Sequence, residues 1–148
     1  MAYVTYEEFK KMDMRVGTIR AVEPVEGADK LLKCQIEFGM KLAPVDPIES
    51  TEPSEAIALA VPEKSEHEPV TLEAPMIPDI RQIVSGIREF FPEYEQLVGK
   101  QVLYIVNLEP RTIRGVESHG MLMAVDGLDG KPVFLMPEFP VAPGAQVR

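Results

Sequence analysis

The 148-residue sequence has one cysteine, Cys34, and two histidines, His67 and His119. A single cysteine excludes an internal disulfide, and no Cys/His spacing of the zinc-ligating kind is present, so no metal site is expected. P-loop and dinucleotide fingerprints are missing as well. Glu117 stands beside His119 but has no activatable nucleophile nearby, a poor seed for acid–base chemistry. Neither an enzyme nor a cofactor is expected. No apolar run has the length needed to cross a bilayer, so no membrane partner is expected either. Met1-Ala2-Tyr3-Val4 lacks the basic segment and apolar core of a secretory leader, and the expected compartment is the cytoplasm.

Basic residues are scarce: 15 Lys and Arg stand against 24 Asp and Glu, a formal net charge of −9. That balance argues at first against a nucleic-acid partner. The acid is unevenly spread, however. Residues 40–79 hold nine acidic and two basic residues, a net −7, which leaves −2 for the rest of the chain. The same segment contains seven of the fourteen prolines and no aromatic residue. It reads as an extended acidic insertion, with 56–61 and 70–72 the only pieces suited to pair as a hairpin.

The remainder is patterned for β-structure. Thr5-Tyr6-Glu7-Glu8 is a capping box, and Val4 and Phe9 occupy the positions of a hydrophobic staple, which predicts a short helix over 6–11. So short a helix needs a docking surface for its apolar face. Strands are predicted over 14–25, with a bend or bulge at Gly17, over 31–38 and over 80–87. In the second, Leu32, Cys34, Ile36 and Phe38 alternate with polar residues, so Cys34 reads as a small core residue rather than a reactive thiol. A short helix or turn over 92–98 ends at Gly99. Strands over 101–107, 120–126 and 132–136 follow. With the last short strand, 132–136, left to the C-terminal extension, three strands, a helix and two strands is the order of the five-stranded Greek-key OB-fold barrel, an all-β fold. The chain is thus expected to be a single domain over 1–148, interrupted by the insertion between strands two and three.

The stretch Asn107 to Met121 carries the chemistry. Arg111 and Arg114 bracket a turn, Asn107 closes the strand before it, and Ser118, Gly120 and Met121 open the strand after it. Cations, an amide and a hydroxyl at one sheet edge suit a polyanion better than catalysis. The alternative is a solvated loop whose glycines merely turn the chain.

Four ordered motifs carry a family resemblance: Asp13-Met14-Arg15-Val16-Gly17, Ala28-Asp29-Lys30-Leu31, Arg81-Gln82-Ile83-Val84-Ser85-Gly86-Ile87, and the Asn107–Met121 run. Over 5–39 and 80–148 the chain resembles the tRNA-binding OB domain of methionyl-tRNA synthetases, stand-alone tRNA-binding dimers and CsaA-like proteins. The insertion departs from the compact family pattern and puts access to the binding face in question. The resemblance implies tRNA as ligand, with an aminoacyl-tRNA synthetase as a further partner. Arg111 and Arg114 are then the phosphate clamps, with Lys30 an added charge from another loop unless Asp29 neutralises it. The hydroxyl and amide groups of Ser85, Asn107 and Ser118 match positions on or near the RNA face. Met121 packs on a base or, alternatively, in the core, and Ser85 alternatively caps a strand end. Asp13 and Arg15 are expected to form a structural pair. The resemblance also implies a homodimer built from the N-terminal helix and an apolar C-terminal extension (Val133 to Met136 and Phe139), unless these cover the ends of their own barrel. A CsaA-like peptide-binding export chaperone is the rival reading.

Overall fold

A computed structural model describes residues 1–44 and 74–148. The hairpin expected from 56–61 and 70–72 lies outside the described residues. Strands β1 (Met14–Val25), β2 (Ala28–Leu42), β3 (Met76–Ser85), β4 (Gln101–Ile105), β5 (Arg111–Ile113), β6 (Val116–Ser118), β7 (Met121–Leu122), β8 (Ala124–Asp126) and β9 (Pro132–Phe134) make the chain predominantly β. Five of them form one antiparallel sheet in the order β3-β2-β1-β4-β7.

The sheet curls until its edges meet. The His119 amide donates to the Gln82 carbonyl at 2.9 Å, and the Val84 amide donates to Ser118 Oγ at 3.0 Å. The exposed edge of β3 is thereby satisfied by the segment leading into β7, which gives a barrel-like closure. Alternation along β2 places Leu32, Cys34, Ile36 and Phe38 inside, where they meet Ile19, Ile83, Val102 and Tyr104. Burial pushes the Cys34 thiol up to about 11, in keeping with an inert core residue.

Several expectations need correction. Gly17 pairs regularly with Val102, and the ladder slips further on, between Ile19 and Ala21. Gly17 is required for space instead: a Cβ there would lie 2.3 Å from Ile36 Cγ2. The short helix or turn expected over 92–98 is the 3-10 turn Tyr94–Leu97, which inserts Leu97 into the core, and a further 3-10 turn that was not expected, Arg88–Phe90, precedes it. The strand expected over 120–126 breaks at Met123 into β7 and β8. At the margins of the expected insertion, 40–42 and 76–79 belong to β2 and β3.

Helix α1 (Tyr6–Phe9) has the complete capping box and is shorter than expected. Tyr6 is 70% exposed, as are Tyr3 (92%) and Val4 (79%) just before the helix, so the apolar side chains at this end are largely uncovered among the described residues. The C-terminal segment instead runs beside β1: the Val16 amide donates to Ala145 O at 2.9 Å and the Val147 amide to Met14 O at 2.9 Å. Phe134 packs on Phe91 at 4.9 Å between ring centroids, whereas Met136 and Phe139 remain exposed.

Candidate nucleic-acid interface

The loop after β4 folds back as a β5–β6 hairpin, which the sequence had shown only as a turn. Ile113 and Val116 pair across two residues, Arg114 with φ 51° and Gly115 with φ 79°. Both are left-handed, a conformation that favours Asn-Gly at such turns. An arginine there is held against its backbone preference and sits exposed at the hairpin tip. The hairpin is anchored by Ile113 and Val116, which pack on Val25, Ala28 and Val84. Two loops far apart in sequence, the β1–β2 turn and the β4–β7 connection, are joined by that contact.

Beside the hairpin lies a cleft of about 340 Å³. Val84, Ser85, Gly86 and Ile87 form one wall; Leu108, Glu109, Arg111 and Ile113 form another; Gly120, Met121 and Leu122 line it further. Ser85, Arg111, Ser118 and Met121 thus converge on one cavity. Their roles within it differ. Met121 is 48% exposed, so it faces outward rather than into the core. Ser118 is buried; besides accepting from Val84 N, it donates to Gly120 O at 3.2 Å, and it fixes the loop's shape. Ser85 lines the cleft half-buried.

Asn107, Arg114 and Lys30 lie outside the cleft lining. Asn107 Oδ1 accepts from Asp13 N at 2.8 Å and its Nδ2 donates to Lys11 O at 2.5 Å, tying the segment between α1 and β1 to the start of the loop. Lys30 is 3.7 Å from Glu89 rather than paired with Asp29. It sits at the same end of the sheet as the Ser85–Ile87 wall, because Leu32 is the register partner of Ser85. Asp13 and Arg15 form the expected structural pair, with two contacts of 2.8 Å.

Sequence reasoning missed a second, polar cleft of about 610 Å³ lined by Gln35, Lys41, Asp79, Arg81, Gln82 and His119, among others. Asp79 is buried and accepts from Arg81 Nη2 at 3.0 Å, with Lys41 Nζ at 3.2 Å. Burial pushes the Asp79 carboxyl up, but the Arg81 fork and Lys41 outweigh it and hold it below the usual range. The available signal was Asp79-x-Arg81, which repeats the Asp13-x-Arg15 spacing two residues apart on one strand face.

The geometry defines a class: a small antiparallel barrel-like domain with a cleft lined by an arginine, Arg111, at one end. Residues 77–146 match the family described as putative tRNA binding domain. The chain belongs to this tRNA-binding domain family, as its four motifs implied. It is 34% identical over 145 residues to a methionine–tRNA ligase of Porphyromonas gingivalis, a match covering 98% of this chain and 16% of that protein. The chain therefore spans about a sixth of the length of the curated relatives it matches. A MetRS-related protein from Pyrococcus horikoshii superposes with a TM-score of 0.67 at 28% identity, each chain covered 100%. The chaperone CsaA from Bacillus anthracis shares the fold, with a TM-score of 0.65 at 19% identity over 99% of this chain and 100% of that one. Among the described residues, no helix is long and apolar enough to cross a membrane, and no three metal-ligating side chains gather.

Proposed function

We propose that the chain is a non-catalytic OB-fold module that holds folded tRNA by shape and phosphate contacts. One observation carries this reading. Arg15, Arg20, Lys33 and Arg81 are each paired with a carboxylate. Among the described residues, Arg111, which lines the cleft, and Arg114, at the tip of the hairpin beside it, make no ion pair. Unneutralised guanidinium groups on a chain of net charge −9 are a local phosphate site within a repulsive field. Lys30 joins them by exchanging its exposed Glu89 contact, a weak pair, for a phosphate. Ser85 and Met121 meet sugar or base, while Asn107 and Ser118 act by holding the loop in shape.

The exposed apolar face of α1, with Met136 and Phe139, supports a homodimer. Such a dimer presents two tRNA faces and assists an aminoacyl-tRNA synthetase in trans by raising the local tRNA concentration. The expected compartment is the cytoplasm, where that partner works. The test is tRNA binding across a salt series for wild type and an Arg111→Ala, Arg114→Ala double variant. Loss of two phosphate contacts flattens the log–log salt slope by about 1.5 and weakens binding at least ~10-fold at low salt. Wild-type affinity and slope in the double variant would refute the assignment. The aliphatic lining of the cleft favours a second reading, a peptide-binding export chaperone. Binding of unfolded peptides without tRNA binding would establish it in place of the first.

A further inference from the structure

Glu109 is out of place in a phosphate site. It lines the cleft two residues from Arg111, and a carboxylate there repels the phosphates that the arginines attract. Among the described residues its carboxylate has neither an ion pair nor a hydrogen bond, and the Ser85 hydroxyl has no hydrogen bond either. The other walls, Ile87, Leu108, Ile113, Met121 and Leu122, are aliphatic or thioether. The cleft thus offers soft apolar walls for a flat ring, an acceptor-only group, a hydroxyl that both donates and accepts, and a cation. Its volume of about 340 Å³ is at the small end for ligand pockets and suits one ring system rather than a stacked run.

We propose that this cleft takes one unstacked guanine from the bound RNA, with Glu109 reading its Watson–Crick edge. The inference rests on the tRNA-binding reading and names the group that the site selects. Unstacked bases are the part of a folded RNA that a protein reads specifically. Guanine presents N1–H and N2–H side by side, matching the two oxygens of one carboxylate in a parallel fork. Adenine and cytosine offer a single amino group. Uracil places carbonyl oxygens on both sides of its one N–H, and these repel a carboxylate. Arg111 then neutralises the attached phosphate, so acid and base at the cleft serve different parts of one nucleotide.

The experiment titrates GMP, AMP, CMP and UMP into the full chain, followed by NMR at the Met121 methyl and the Ser85 and Gly86 amides. The four ligands share one phosphate, so any ranking comes from the base. GMP is expected to bind about tenfold more tightly than UMP. Glu109→Gln, an exposed near-isostere, brings the two within about twofold. Equal binding of the four nucleotides, shifts confined to other surfaces, or an unchanged preference in Glu109→Gln would overturn the inference. Total tRNA added to the GMP complex is expected to displace the nucleotide. If tRNA binds the protein but leaves GMP in place, the cleft serves a free nucleotide and the RNA assignment falls. If tRNA fails to bind at all, the tRNA-binding reading itself falls.

Discussion

Asp79→Asn tests how the barrel is held shut. Asp79 accepts from Arg81 Nε at 3.3 Å and Nη2 at 3.0 Å, and so aims the guanidinium. The third nitrogen, Nη1, donates to the Val106 carbonyl at 2.9 Å, and the group lies 5.5 Å from the Phe38 ring centroid. Val106 follows β4, and β4 is separated from β3 by two strands in the sheet order. One carboxylate therefore positions a tie across the barrel. Replacing it removes the anion from its charge-assisted contacts with two partners, Arg81 and Lys41, each partner worth about 1.5–3 kcal/mol. Arg81 is partly solvated and Lys41 half-exposed, so the lower part of that range applies. The expected loss is about 2–3 kcal/mol, a Tm decrease of roughly 5–10 °C. The sign with pH follows from a folded-state pKa below the unfolded value. The stabilisation is complete above the unfolded carboxyl pKa of about 3.9 and is lost as pH falls through the lower folded value. Urea unfolding at neutral pH and at steps into the acid range should show a constant gap between the two proteins that closes in acid. A variant within about 0.5 kcal/mol of wild type at neutral pH would refute the role given to Asp79.

Arg114→Asn relieves the left-handed strain at the hairpin tip and should raise stability by about 0.5–1 kcal/mol in chemical unfolding. The same change removes the phosphate contact proposed for Arg114, so tRNA affinity should drop several-fold; a stable variant with unchanged affinity would take Arg114 out of the proposed interface. The Tyr104 hydroxyl is buried without a hydrogen-bond partner among the described residues, and burial displaces its ionisation far upward. Tyr104→Phe should leave stability unchanged or raise it by up to about 1 kcal/mol. Destabilisation beyond that would reveal a partner for the hydroxyl.

The barrel strands were readable because alternation is a local property. Leu32, Cys34, Ile36 and Phe38 announce one buried face in any context, and β1 occupies the span its β-branched residues predicted. The capping box formed for the same reason, since Thr5 and Glu8 satisfy each other within one turn. The β5–β6 hairpin was hidden because Arg-Gly replaces the usual Asn-Gly, and three-residue strands carry too little period to detect. Gly17 was misread because a missing side chain looks alike in sequence whether it permits a bend or makes room for Ile36.

The amino-acid order alone determined the longer strands, the inward residues of β2, and the motifs that assign the chain to its family. Each of these depends on neighbours a few positions apart. Only the tertiary structure decided which polar groups of those motifs are taken up by protein partners. Asn107 and Ser118 share a motif with Arg111 and Arg114, yet the first two bond to backbone at Lys11, Asp13, Val84 and Gly120, while the arginines stay unpaired among the described residues. Donors and acceptors are satisfied by whatever lies opposite in space, and no local pattern reveals that partner.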